Sequence, residues 1–415
     1  KLTVAGGACV TGVITAANFA KADGSSLGGF SEDDQANLVA GTGAGAAIDS
    51  DTCFNIMIGR NSGRSNCAGD HNLFLGCNAG CLLTSGSNNL MIGKCAGRCI
   101  TTGTYNIAFG IGAMSGATAT GAGNIGIGCK AGLRITSGSN NIFMGKYAAS
   151  KCAVTGSENI AIGRNAATRL TSGNYNIFVG RYAAAGVVDF TGSNNIIMGR
   201  ETHFCASASN TISIGTKTGG NIQGSTANVF IGYYAGCGDT GTSATPEGNV
   251  FLGAYAGKCN CGNANVYIGC GAAEPAKTAT RNVVIGKDAG ETLNSGSDNT
   301  FIGYQAGSST NTGEYNIFVG AKAGNTNSSG SHNIAIGGDV ELPSATASCQ
   351  LAIGKGTSRW ITGTSDFNVG IGTTNPSSRL SVAGDACVSG VITATNFAKA
   401  DGSSLGGFSQ DSQGN

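Results

Sequence analysis

The sequence predicts an all-β protein, a repetitive β-solenoid or β-roll of about nineteen coils, each 17–18 residues long. Three observations predict it. One short block recurs along most of the 415 residues. Its residues alternate with the two-residue period of a strand. The composition, with 71 Gly, 4 Pro and 11% charged residues, suits neither a disordered chain nor a coiled coil.

The block reads Asn-Ile-x-Ile-Gly-x-x-Ala-Gly and is followed by a polar stretch such as Thr-Ser-Gly-Ser-Asn. Its anchor is Asn at 55, 72, 89, 106, 124, 141, 159, 176 and 195, then at 228, 249, 265, 282, 299, 316, 333 and 368. Thr211 and Gln350 anchor two further copies, which makes nineteen. A Gly stands four residues after every anchor. Between them, the first and third residues are apolar (Ile56 and Ile58, Leu73 and Leu75), with Thr300 the exception at the first position. The middle residue ranges from Phe74 to Ala108 to Gly126. Two constrained positions around a loose one predict a strand that buries its Ile face. A helix would need apolar residues three and four apart, and these glycines would destabilise it.

The small residues that follow, such as Ala79-Gly80 and Ala96-Gly97, suggest close backbone approach in a second short strand. Gly86, Gly138 and Gly296, three residues before the next anchor, mark a turn. A unit this short cannot bury its own apolar face, so copies must stack. At one strand spacing per coil, nineteen coils make a rod about 90 Å long. Stacking also aligns the Asn side chains, which then hydrogen-bond along the rod as an amide ladder.

A longer duplication frames the array. Residues 379–415 repeat residues 1–37 with 29 of 37 positions identical. This predicts a longer polypeptide with a super-repeat of 378 residues, or else a pair of matching caps. The predicted organisation is a β-rich connector at 1–37, an irregular Gly/Ala-rich link at 38–52, the array at 53–375 and a second connector at 376–415.

Little in the sequence points to catalysis, a cofactor or a metal. Gly24-Ser25-Ser26-Leu27-Gly28, repeated at 402–406, matches the nucleophile elbow. That motif needs a following helix and Asp and His partners. The three histidines, His71, His203 and His332, fall inside the array, where they read as surface residues. Asp49-Ser50-Asp51 and Glu32-Asp33-Asp34 read as solvated loop charge. The net charge of +1 points to no nucleic acid and no acidic membrane. No apolar run is long enough for a membrane-spanning helix.

Sixteen cysteines are the most informative reactive groups. Cys77 and Cys95 follow the strand glycines of adjacent coils, as do Cys81 and Cys99 a few residues later. Neighbouring coils come close enough for disulfides, so Cys77–Cys95 and Cys81–Cys99 are candidate staples, with free thiols as the alternative.

Two resemblances follow from these residues. The Asn-Ile-x-Ile-Gly-x-x-Ala-Gly unit resembles the head repeats of trimeric autotransporter adhesins. The stretch from Asn368 to Gly384, NVGIGTTNPSSRLSVAG, is similar to a junction in tail fibre proteins of phages and marine viruses. Both imply a homotrimeric, extracellular or virion-surface fibre used for attachment. The chain departs from the adhesins in its repeat length and its many cysteines. The expected function is a structural fibre shaft and not an enzyme. The alternative is an adhesin that binds a glycan or receptor through its flank, with Tyr233, Tyr234, Tyr255 and Tyr304 as candidates.

Overall fold

In a computed structural model, every copy of the repeat but the last forms one coil of a parallel β-solenoid. The structure describes residues 31–391 and 393, apart from 187, 203–206, 221–223, 225, 239–244 and 275. Among these residues there is no helix. Strand β1 (Ser31–Glu32) pairs antiparallel with β2 (Leu38–Ala40). From β2 onward the strands stack in parallel, one per coil. They run from β3 (Ile56–Ile58), β4 (Leu73–Leu75) and β5 (Leu90–Ile92) to β19 (Ile334–Ile336) and β20 (Leu351–Lys355). The register does not slip: Ile56 faces Leu73, and Leu73 faces Leu90.

The asparagines hold this register. Asn141 is fully buried. Its backbone N–H and its Nδ2 donate to Oδ1 of Asn124 at 3.0 and 3.1 Å. Its own Oδ1 accepts the same pair of bonds from Asn159 at 2.9 and 3.0 Å. The second Nδ2 proton goes to the carbonyl of Gly156 at 2.9 Å. The anchor of each coil therefore ties the strand before it, the strand after it and the turn between them. Where Thr211 replaces Asn, its N–H still donates to Asn195 Oδ1, at 3.0 Å.

Both ends of the array differ from the expected boundaries. Residues 38–52 open with a strand, and Asn37 is the first rung of the ladder, its Oδ1 accepting from Asn55. Asp33 caps that rung, its carboxylate accepting from the N–H and the Nδ2 of Asn37 at 2.9 and 3.0 Å. At the other end Gln350 donates its N–H to Asn333 Oδ1 at 2.8 Å. The copy anchored on Asn368 leaves the parallel stack. Strand β21 (Ser358–Gly363) folds back antiparallel on β20, and β22 (Val369–Ile371) pairs antiparallel with β21. Of the second connector, β23 (Leu380–Val382) pairs in parallel with β22, and the described residues beyond it form no strand.

The face that the strands bury is the opposite of the one expected. The middle residue of each strand points into the coil: Phe74, Met91, Phe143, Phe178 and Tyr267 are all fully buried. The Ile positions on either side face outward and are half-buried or exposed. The middle position varies because coils compensate one another. Phe143 stacks between Gly126 and Ala161. Over Gly126, Met114 fills the space that a larger side chain would take. Where large rings are neighbours they stack at the coil spacing, as Phe301 does on Phe318 at 5.0 Å. The Ala-Gly segment is a turn and not a second strand, and its alanines (Ala79, Ala96, Ala148) complete the core. Outside the named strands, single parallel bridges such as Ile100 to Ala119 occur farther along the coil.

The turns need left-handed backbone at several places per coil. The glycine that ends each strand is one: a Cβ on Gly145 would lie 2.7 Å from the carbonyl oxygen of Gly163. Two other columns accept non-glycine residues at positive φ. One precedes the anchor (Tyr105, φ 58°; Glu158, φ 59°) and one follows the strand glycine by two (Tyr147, φ 62°; Tyr182, φ 59°). Such backbone costs an L-residue about 1–2 kcal/mol. Hydrogen bonds between coils offset it, as where Tyr105 N–H donates to Ser87 O at 3.0 Å.

Two outcomes follow. Replacing Asn141 by Leu keeps the backbone N–H on Asn124 Oδ1 but leaves the buried carbonyl of Gly156 and the N–H of Asn159 without partners. At about 1–3 kcal/mol each, the loss in denaturant unfolding should reach about 3 kcal/mol or more. In contrast, Ala264 is exposed with φ 57°. Ala264→Gly should raise stability by about 0.5–1 kcal/mol in the same assay, because relief of the left-handed strain outweighs the added chain entropy.

Candidate functional site

The largest feature that the fold leaves unpartnered is the outward face of the parallel sheet. It carries the first and third strand residues of every coil. Leu75, Phe109, Ile162, Leu252 and Ile317 are between 38% and 49% exposed. Because the register never slips, these side chains form two continuous columns along the array.

An aromatic column borders this face, at the position before each anchor. Phe54, Tyr105, Tyr175, Tyr315 and Phe367 are 50–69% exposed. His71 and His332 belong to the same column and stack on Phe54 and Tyr315 at 5.0 and 4.9 Å. Taken one at a time in the sequence, these histidines read as surface residues. Aligning the repeats on the residue before the anchor would have shown the column, since Tyr-Asn recurs at 105, 175 and 315. His203 lies outside the described residues.

The cysteines of the proposed staples sit on adjacent coils as expected, but one position out of step. With Leu75 facing Ile92, Cys77 aligns with Lys94. Cys95 donates its backbone N–H to the carbonyl of Cys77 at 2.8 Å. Cys77, Cys81, Cys95 and Cys99 carry free thiols in this structure. Cys81 is buried, and that burial pushes its thiol pKa up against the opposing pull of Arg64 and Arg98.

Of the tyrosines considered as ligand contacts, three cluster. Tyr233 makes edge contacts with Tyr234 and Tyr255 at 4.6 and 5.3 Å, and Tyr234 stacks on Tyr255 at 5.8 Å. Lys217 Nζ donates to Tyr234 Oη at 2.8 Å, and Lys258 lies over the Tyr255 ring. Tyr304 stands apart from them, beneath Lys287.

The remaining motifs do structural work or fall outside the described residues. Asp49 accepts from Asp51 N–H and Thr52 Oγ1 in a turn. Both Gly-x-Ser-x-Gly copies, at 24–28 and 402–406, lie outside the described residues. Among the described residues no group of three or more His, Cys, Asp or Glu is placed to hold a metal, and no helix is long and apolar enough to cross a membrane. Comparison with protein-family models, curated proteins and solved structures finds no match.

The thiols make a direct check of this geometry. Reactivity follows exposure and thiolate fraction. At mildly alkaline pH the exposed Cys67, Cys270 and Cys349 should react with a thiol reagent roughly tenfold or more faster than Cys81. Peptide mapping of the labelled protein reads the order.

Proposed function

We propose that the chain is the shaft of an extracellular or virion-surface fibre, in which three copies pack their outward Ile faces against one another. One observation carries this reading. The outer strand positions are almost uniformly aliphatic although the coil core does not need them. Residues that face water have no reason to stay Ile, Val, Leu or Met in coil after coil, with Ala40, Phe109 and Thr300 the only departures in strands β2–β20. Residues that meet a flat, repeating partner do, because packing density must match along the whole contact. A second copy of the same solenoid, at the same coil spacing, is such a partner. The resemblance to trimeric adhesin heads and tail fibres favours three copies over two.

On this reading the work of the shaft is length and stiffness, and no residue is assigned a catalytic role. A second reading has one observation in its favour. The cluster of Tyr233, Tyr234 and Tyr255, flanked by Lys217 and Lys258, offers ring faces and hydrogen-bond donors of the kind that hold a neutral sugar. On that reading the flank acts as an adhesin.

Sedimentation equilibrium tests the assembly. The expected mass is three times that of the 41.0 kDa chain. Converting Ile125, Ile142 and Ile160 together to Asp should dissociate the trimer yet keep the β circular-dichroism spectrum, because these side chains point away from the coil core. A monodisperse monomer of the unmodified chain would refute the packing. Binding of uncharged oligosaccharides that is lost in Tyr234→Ala would favour the adhesin.

A further inference from the structure

The near-neutral net charge conceals a strongly basic block. Residues 71–188 hold nine Lys or Arg and one carboxylate, Glu158. The rest of the chain is therefore net acidic. The solenoid gathers most of this block onto one flank, while Arg169 is paired with Asp189 at 2.9 Å. Lys130, Lys146, Arg164 and Arg181 all lie in the turn that follows a strand glycine, and hydrogen bonds between coils hold these turns in step. Tyr147 N–H donates to Cys129 O, Asn165 N–H to Lys146 O and Tyr182 N–H to Arg164 O, each at 3.0 Å. Glu158 stands in the column before an anchor, on the other side of the strand.

Two grooves run along this flank. One, of about 460 Å³, has Lys130, Lys151 and Arg164 around it and the rings of Tyr147 and Tyr182 in its walls. Its floor includes the almost fully buried Ser150 and Thr168. The other, of about 320 Å³, is bordered by Lys94 and Arg98. Lys130 lines both, so the two form one track. No carboxylate lines either groove. From the coil of Lys94 to that of Tyr182 the track spans five coil steps, about 24 Å. The cations rest over the rings: Lys130 and Lys146 Nζ lie 5.7 and 5.3 Å from the Tyr147 centroid, and Arg181 lies 5.0 Å from that of Tyr182.

We propose that this track binds an anionic polysaccharide. Its sulfate or carboxylate groups would sit on Lys130, Lys151 and Arg164, and its sugar faces would lie against Tyr147 and Tyr182. A track of this length suits a polymer better than a small anion. The two tyrosines are two coils apart, about 10 Å, with Asn165 between them. That separation matches the repeat of an extended disaccharide. It does not offer the succession of ring platforms on which single-stranded nucleic acid stacks its bases. The track lies on the turns and not on the outward Ile face, so this inference goes beyond the shaft reading and stands without it.

The test measures binding of the full chain to heparin, polygalacturonate, dextran and poly(dT), each over a range of salt. The expected result is binding to heparin, to polygalacturonate or to both, weakening as salt rises. Heparin alone would identify sulfate as the group recognised, and polygalacturonate alone carboxylate. Arg164→Glu and Lys151→Glu should each weaken that binding about tenfold or more, while Lys355→Glu, far along the array, leaves it unchanged. Lys151 is exposed, so its variant reads the site even if the other disturbs a turn. Absence of binding to both anionic polysaccharides would overturn the proposal. Equal binding to dextran, tighter binding to poly(dT), or a folded Lys151→Glu variant that binds like the unmodified chain would also overturn it.

Discussion

The whole fold depends on one buried anchor side chain per coil, an amide in every coil but that of Thr211. A three-residue strand has too few ladder bonds to fix its own register, and a strand that slips by one residue turns its whole face over. The anchor Asn removes that freedom. Its Oδ1 receives both the N–H and the Nδ2 of the next anchor, so the coil above can dock in one position only. Its Nδ2 also satisfies the carbonyl of a turn glycine that would otherwise be buried without a partner. The glycine four residues later completes the constraint, since any side chain there would strike the next coil.

With register fixed at the anchor, the rest of the coil is free to vary. Anchors joined directly in the ladder are 16 to 21 residues apart, so loop length is not what sets the stacking. Core volume is shared between coils, which is why the inward position runs from Gly126 to Tyr267. Tyr267 shows how far this sharing extends. Its ring is buried like a Phe and stacks on Phe251 at 4.8 Å, while its hydroxyl meets Asn260 Nδ2 at 3.4 Å. The outward positions vary far less, with Ala40, Phe109 and Thr300 as departures from Ile, Val, Leu or Met, and the proposed packing of copies rests on that contrast.

The coil, its anchor and the amide ladder were legible in the sequence because they repeat. Which face of the strand lies inside is not legible there. Period-two alternation shows that two faces differ, but not which one is buried, and the more uniform Ile columns look like the core. A core that shares volume between neighbouring coils tolerates Phe beside Ala, so the buried column is the less uniform of the two. The first coil was missed because Asn37 sits in the duplicated segment and its strand, Leu38–Ala40, ends on Gly41 without the usual Ile pair. The last copy was overcounted because Asn368 keeps the motif while a hairpin turns its strand away from the stack. The basic flank escaped notice because a chain-wide charge averages it away. Its columns exist only once the coils are in register.

A solenoid built this way can present different chemistry on different flanks. Its properties rest on the anchor-to-glycine block and not on the loops, and a pair of single-residue deletions separates the two most directly. Thr118 is exposed in the loop of a coil whose anchors, Asn106 and Asn124, are 18 residues apart. Ala108 is the inward residue of that coil's strand. Hydrogen exchange followed along the chain reads the result. Deleting Thr118 should leave the protection of the strands unchanged, whereas deleting Ala108 should abolish it locally and uncouple the coils on either side. Equal loss of protection from both deletions would contradict the account.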